Sequence, residues 1–321
     1  MAALAEPQLP ELVELPQLGV RDLDPLLNEE IEVWRQRFTW DFRASADLLR
    51  RFLQVQSLYG YALRIRREVV GYSYYVCEGH KGLIGDFYLR AGHATPGNEM
   101  MLLGGVVKGL MSAPGIRRIE SQLMLLRSCE SQPPFGRFLT RHDRLFMEID
   151  RGTALRLPPP QSTLHATFVP WAERFHEEVA HLVVASYKGH VDSEINDQYR
   201  TVPGARHFLT NIIRFPGCGQ FSPAASMVAL DGKTGRVCGA CLASLVSAHS
   251  GHITQLCILP ALRRARLGYE LLRLSLFRLL ELGCSSASLT VTCSNVEAIR
   301  LYESAGFHSY STFPALVWDG F

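Results

Sequence analysis

Apolar positions along this chain follow two periods, and they do so twice in the same order. His252-Ile253-Thr254-Gln255-Leu256-Cys257-Ile258-Leu259 is a mostly apolar, partly β-branched run closed by Pro260, which reads as a strand. After an Arg-rich turn, Leu271-Leu272, Ser275-Leu276 and Leu279-Leu280 recur at helical spacing and predict a helix over 268–282 with Gly283 as its C-cap. A strand from Ala287 to Thr292 follows. Ser294 and Glu297 then have the spacing of a capping box, so a short helix starts at about Asn295. Ala298, Leu301, Tyr302 and Ala305 share one face of it, Gly306 stands where a left-handed cap is wanted, and Phe307 opens the next strand.

Upstream, Ser226–Leu230 and Val237–Leu245 read as two further strands, giving the order strand, strand, strand, helix, strand. The first half repeats it: strands at Tyr61–Arg66, Val69–Cys77 and Gly82–Leu89, a helix from about Asn98 to Met111, and a strand from Ile119 to Leu125. Gly71 and Gly239 are 168 positions apart (239 − 71), and Leu102-Leu103 and Leu271-Leu272 are 169 apart (271 − 102). Phe135-Gly136-Arg137-Phe138 also falls roughly where the second half has Ala305-Gly306-Phe307. A nearly constant offset across independent landmarks argues for duplication of one fold. The proline run Pro158-Pro159-Pro160 divides the copies, giving a domain over 1–154, a linker over 155–163 and a domain over 164–321. The expected class is α+β, with a twisted mixed sheet flanked by helices in each copy.

Composition narrows the function classes. The 321 residues are 47% hydrophobic and 20% charged with a net charge of +2, the profile of an ordinary globular protein. That charge gives no reason to expect nucleic acid or an anionic membrane as partner. No apolar run approaches the roughly 20 residues that span a bilayer, and the segment from Met1 to Pro16 lacks a basic start, so a cytoplasmic location is expected. Of eight cysteines only Cys238-Gly239-Ala240-Cys241 has C-x-x-C spacing. In a strand, residues three apart face opposite sides, so no metal is expected there and the cysteines read as small reduced core residues.

The candidate chemistry lies at the basic turn. A strand feeding a helix through Arg263-Arg264-Ala265-Arg266-Leu267-Gly268 makes an anion site: free N–H groups of the first helical turn point at the ligand, and the helix dipole and arginines favour negative charge. Here the segment resembles the GNAT superfamily of N-acyltransferases. Their Arg/Gln-x-x-Gly-x-Gly/Ala pattern is met by Arg263-x-x-Arg266-x-Gly268, with Arg266 in place of the first glycine, followed by the family's Leu-Leu pair. Their second signature is met throughout by Asn295-x-x-Ala298-x-x-Leu301-Tyr302-Glu303-x-x-Gly306-Phe307. The resemblance is specific over about 225–312 and architectural over about 30–150.

The resemblance implies transfer of an acetyl or related acyl group from acetyl-CoA to an amine by direct attack, without a covalent enzyme intermediate. It implies that the backbone of Leu256, Cys257 and Ile258 pairs with the pantetheine arm. Arg263, Arg264, Ala265, Arg266, Leu267, Gly268 and Tyr269 would hold the pyrophosphate, Asn295 would touch the arm, and Tyr302 would protonate the leaving thiolate. The acceptor is expected to be a small-molecule or peptide amine, with no nucleic acid, membrane or metal involved, and the protein a monomer or homodimer. The first-half turn, Arg90 to Asn98, lacks the glycine pattern and carries Pro96, so that copy is expected to be degenerate.

A general base is not evident. Gln255, Thr290 and Thr292 cannot act as bases at neutral pH, whereas His252 is either a base with a pKa near 6.5 or an exposed histidine at a strand start. His165, His190 and His207 lie in the region that shapes the acceptor site in this superfamily. Asp192, Glu194, Asp197 and Tyr199 read as a solvated helix–loop surface or an amine-binding loop. Trp40-Asp41-Phe42 and Tyr72, Tyr74 and Tyr75 are either packing residues or the lining of an acceptor pocket. Two other readings stay open: a non-catalytic acyl-CoA sensor, with Arg266 as a sign of decay, and an aminoacyl-transferase-like tandem protein.

Overall fold

The structure, a computed structural model, describes residues 9–127, 133–159 and 165–321. The start of the chain and the second part of the expected linker, from Pro160 on, lie outside the described residues, as does Cys129. Contacts divide the chain into two compact units, each discontinuous in sequence. Among the described residues, one comprises 9–36, 42–127, 133–142 and 313–321, and the other 37–41, 143–159 and 165–312. Residues 143–154, placed in the first domain by the sequence division, thus make their contacts in the second unit, and 313–321 make theirs in the first.

The first unit holds β1 (Glu11–Glu14), α1 (Val20–Phe38, all but its end), α2 (Arg43–Gln54), β2 (Tyr59–Ile65), β3 (Glu68–Glu78), β4 (Lys81–Leu89), α3 (Pro96–Ser112) and β5 (Arg118–Gln122). Its strands run in the order β1, β2, β3, β4, β5, and then the end of the chain, where Ala315–Asp319 pairs antiparallel with β5. Only β4 and β5 are parallel, over four pairs from Lys81↔Arg118 to Ile84↔Ser121. Leu102, Leu103, Val106, Val107 and Leu110 recur on one face of α3 and are fully buried against the sheet. Tyr72 is a packing residue: it is wholly buried, and its hydroxyl donates 2.7 Å to Glu30.

The second unit continues with β6 (Leu139–Asp150, from Asp143 on), α4 (Arg151–Leu155), β7 (Ala166–Pro170), α5 (His176–Tyr187), α6 (Asp192–Ile195), α7 (Val202–Arg214) and β8 (Gln220–Phe221). After these come β9 (Met227–Asp231), β10 (Val237–Ser247), β11 (Ser250–Ile258), α8 (Leu267–Glu281), β12 (Ser286–Thr292), α9 (Val296–Ser304) and β13 (His308–Asp319). The order is β7, β9, β10, β11, β12, β6. Again one neighbouring pair is parallel: β11 and β12, over four pairs from Ser250↔Ser286 to Ile253↔Leu289. Leu271, Leu272, Leu276 and Leu279 of α8 cover one face of this sheet, and Val179, Val183 and Leu209 of α5 and α7 cover the other.

The units repeat one plan down to single contacts. A Cβ on Gly82 would lie 2.5 Å from Leu110, and one on Gly251 would lie 2.6 Å from Leu279. Both pairs are 169 positions apart (251 − 82; 279 − 110), so each parallel crossover helix presses a leucine onto a strand glycine. One detail departs from simple alternation. Cys238 and Cys241 border the same apolar cluster, because a β-bulge between Val237 and Gly239 breaks the two-residue period there.

Candidate active site

The parallel pairing of β11 and β12 stops at Ile253↔Leu289, although both strands continue. From there β11 stays with β10, pairing as far as Gly239↔Ile258, while β12 stays with β6 as far as Thr292↔Arg144. The two strands therefore diverge, and alternate backbone N–H and C=O groups between Thr254 and Ile258 face a gap rather than a neighbour. A cleft of about 1110 Å³ opens at this gap. Its walls include Leu256, Cys257, Ile258, Arg263, Arg264, Arg266, Leu267, Gly268, Tyr269, Asn295 and Tyr302. All sequence-predicted site residues except Ala265 thus border one cavity, and Ala265 lies within the same turn.

The turn itself is built for an anion. Arg263 is extended, and Arg264 and Arg266 both take the left-handed conformation at φ 65° and 60°. A backbone curled in this way directs successive N–H groups toward a common point. Arg266 is the N-cap of α8, yet no side chain caps this helix start, so its first N–H groups keep no side-chain acceptor. The corresponding helix of the first unit differs: Thr95 caps α3 by accepting from the Asn98 N–H at 3.3 Å, and Pro96 has no N–H to give. The arginine side chains have separate duties. Arg263 donates to the Ser186 carbonyl at 2.7 Å and Arg264 pairs with Glu297 at 2.8 Å, both fixing the loop. Arg266 is exposed at the mouth of the cleft. Gly268 would place a Cβ no closer than 3.6 Å to Ile258 and Leu301, so the position is open rather than crowded.

On the opposite wall α9 begins at Val296. Asn295, not Ser294, is its cap, accepting from the Ala298 N–H at 3.3 Å, and Glu297 turns outward to Arg264 instead of closing a capping box. Tyr302 is buried between the sheet and α9, edge-on to Phe307 at 5.9 Å. Burial, with Cys241 and Asp192 nearby, raises its pKa, so the phenol holds its proton. Among the described residues its hydroxyl has no hydrogen-bond partner. Gly306 closes the helix at φ +88°, where a Cβ would collide with Thr153 at 2.4 Å.

Two expectations change. His252 is not an exposed histidine, nor does it border the cleft: it is 4% exposed, shares a 2.9 Å hydrogen bond with Ser288 Oγ through Nδ1, and packs edge-on to Trp40. Burial, followed by repulsion from Arg144, pushes its pKa down to about 3, so it is a neutral core group. Asp192, conversely, is not part of a solvated surface. Its side chain is 13% exposed, borders the cleft and accepts a hydrogen bond from Thr292 Oγ1. Of the three histidines flagged upstream, His190 borders the cleft beside Asp192, and His165 and His207 do not.

Arg144 and Tyr187 border the cavity and went unnoticed in the sequence. Arg144 reaches it from β6, its Nη2 lying 3.3 Å from Thr290 Oγ1. Tyr187 and Tyr199 stack at 4.5 Å on the same side, and Tyr187 accepts from Gln255 at 2.7 Å. Burial pushes the Cys257 thiol up to about 12, which makes it a poor nucleophile. Among the described residues no three His, Cys, Asp or Glu side chains gather to hold a metal, and no helix is long and apolar enough to cross a membrane.

Comparison with known proteins agrees with this geometry. Residues 193–307 match the Acetyltransferase (GNAT) family. A GCN5-related N-acetyltransferase from Sphaerobacter thermophilus is 14% identical and superposes with a TM-score of 0.64, covering 99% of this chain and 97% of its own. A tandem GNAT protein from the clavulanic acid biosynthesis pathway gives 14% identity and a TM-score of 0.60, over 97% and 98% of the two chains. A Drosophila protein gives 12% and 0.61, over 96% and 98%. No curated protein sequence matches. Residues 193–307 therefore resemble the Acetyltransferase (GNAT) family in sequence, and the chain as a whole shares the fold of these solved structures, a tandem GNAT protein among them.

Proposed function

We propose that this protein transfers an acetyl group from acetyl-CoA to an amine, at the cleft between β11 and β12. The observation that carries the reading is the convergence of three features on one cavity: two diverging strands, an uncapped helix start behind a left-handed turn, and a buried phenol. The pantetheine arm would pair with the open edge of β11 at Leu256, Cys257 and Ile258. The pyrophosphate would sit on the N–H groups from Arg263 to Tyr269, and Asn295 would flank the arm. The amine nitrogen attacks the thioester carbonyl, forming the C–N bond. Collapse of the tetrahedral adduct breaks the C–S bond, Tyr302 gives its proton to the departing thiolate, and the ammonium proton passes to Asp192 or to water.

The cavity wall supports direct transfer rather than an acylated cysteine, because Cys257 stays protonated. Arg266 bears on the sensor reading. It holds the left-handed geometry that a glycine would hold, so the turn keeps its shape and decay is not needed to explain the residue. In the first unit, capped α3 and Pro96 support a vestigial copy that binds no acyl-CoA.

Tyr302→Phe tests the assignment. The phenyl ring preserves the packing, and among the described residues no group loses a hydrogen-bond partner when the hydroxyl is removed. Acetyl-CoA affinity is expected to stay within about threefold, while turnover falls at least about tenfold, the lower range for loss of a general acid. Normal turnover by the variant would make Tyr302 a core residue only.

A further inference from the structure

We propose that Asp192 receives the acceptor as its ammonium ion and takes the proton that masks the nucleophile, which assigns the acceptor to the strongly basic alkylamines. The inference rests on the acyl-transfer reading and deepens it to a catalytic residue and a substrate class.

Asp192 opens α6 and reaches the cleft with 13% of its side chain exposed. The turn that carries it is fixed from within: Ser193 Oγ donates to the His190 carbonyl at 2.7 Å, and Arg200 Nε donates to the Ser193 carbonyl at the same distance. Thr292, at the end of β12 and 1% exposed, donates its hydroxyl to Asp192 Oδ1 and so ties this turn to the strand. The other oxygen, Oδ2, makes no hydrogen bond among the described residues and stands 3.7 Å from His190 Nδ1. A carboxylate held in a partly desolvated wall with one oxygen open is stabilised by a cation. Burial raises the pKa of Tyr302, Tyr187 and Tyr199, and Asp192 raises each of them further. The carboxylate therefore lies within electrostatic reach of the leaving-group acid and of both neighbouring phenols.

The other groups in the cavity are less able to take this proton. Among the described residues the cleft holds one further carboxylate, Glu297, which is 68% exposed and paired with Arg264 at 2.8 Å. His190 Nδ1 accepts the Asp192 N–H at 3.2 Å, so in the neutral ring the proton is on Nε2 and neither nitrogen offers a free lone pair. Cys257 keeps its own proton. An alkylammonium, whose pKa is about 10, carries three protons at neutral pH and no lone pair. Asp192 takes the first proton, and the freed lone pair forms the C–N bond. The second leaves the adduct as the C–S bond breaks, and it replaces the proton that Tyr302 gives to the thiolate. The third remains on the amide, and Asp192 returns its own to solvent.

The test compares acceptors of one shape and different basicity: phenethylamine with O-benzylhydroxylamine, and butylamine with O-propylhydroxylamine. In each second member an oxygen replaces a methylene and leaves the nitrogen neutral. All are assayed for acetyl-CoA-dependent thiol release between about pH 7 and 9. In that range the three phenols and Cys257 keep their protons, and His190 and Arg144, which also border the cleft, are common to every protein compared. The intact protein should use the alkylamines with a kcat/KM that varies less than about threefold. In Asp192→Asn that value should fall at least about tenfold at pH 7 and climb about tenfold per pH unit toward the amine pKa, while the hydroxylamines lose less than about threefold. If Asp192→Asn fails to fold, Thr292→Val, which removes a positioning hydroxyl, should lower the alkylamine rate at least about threefold, more at pH 7 than at pH 9, and spare the hydroxylamines. Three results would overturn this inference and leave acetyl transfer standing: an intact protein whose alkylamine rate itself climbs about tenfold per pH unit, an Asp192→Asn variant that loses both classes equally or neither, or hydroxylamines accepted where alkylamines are not. Silence with every acceptor would overturn both.

Discussion

Arg266→Gly should move stability and cofactor affinity in opposite directions. Arg266 sits at φ 60°, ψ 12°, a conformation that costs an L-residue about 1–2 kcal/mol. Glycine adopts it freely but loses more backbone entropy on folding, roughly 0.5–1 kcal/mol, so the net gain is about 0.5–1 kcal/mol. For a unit of this size that corresponds to a rise in Tm of about 1–4 °C. The arginine is exposed at the cleft mouth, where solvent screens its attraction for a pyrophosphate, so its removal should weaken acetyl-CoA about three- to tenfold. Differential scanning calorimetry of the ligand-free protein reads the first effect. Titration calorimetry at low and high salt reads the second, and the affinity gap should shrink as salt screens the charge. A lower Tm would contradict the left-handed geometry. Unchanged or tighter binding would mean that the side chain points away from the phosphates.

Two further substitutions probe the scaffold. Gly268→Ala should leave acetyl-CoA binding intact and raise stability by about 0.5–1 kcal/mol, since the added methyl meets only ordinary contacts and alanine is the better helix former; loss of binding or lower stability in a thermal-shift assay would show that the backbone there needs glycine. Glu30→Gln addresses a buried acid pair in the first unit. Burial, reinforced by Asp86, holds Glu30 well above the usual carboxylate range, and burial pushes Asp86 up to about 6. Carboxyls raised in the folded state contribute stability below their unfolded pKa near 4 and lose it as pH rises through the folded values. The unmodified protein should therefore lose stability as pH rises from about 4 through the Asp86 value of about 6, and Glu30→Gln should flatten that decline. Identical slopes of Tm against pH would remove the pair from the account.

Much of this was legible in the sequence because the signals are local. The apolar periods located β2 to β5, β9 to β12 and the helices α3 and α8, but not β1, β6, β7 or β8, and the face shared by Ala298, Leu301 and Tyr302 put the phenol inward. Local signals also misled. Ser294 and Glu297 have capping-box spacing, yet Asn295 has the shorter path to the Ala298 N–H and Glu297 is drawn to Arg264, a partner 33 residues away. The burial of His252 depends on Trp40 and Phe146, far from it in the chain, and nothing in its strand announces them. Arg144 was hidden for the same reason, since only the register of β6 on β12 brings it to the cleft, whereas Asp192 was singled out in the sequence and the docking of α6 decides between its two readings. The bulge at Cys238 shows the limit of alternation itself, since one extra residue turned its side chain to the face of Cys241.

The central claim is a single acyl-CoA site formed by residues of the second unit, and titration calorimetry of the intact chain with acetyl-CoA addresses it most directly. The account predicts one site per chain, and a thermal stabilisation of about 2.7 kcal/mol at 100 times the dissociation constant. Absence of binding at millimolar acetyl-CoA, or a stoichiometry of two, would contradict it.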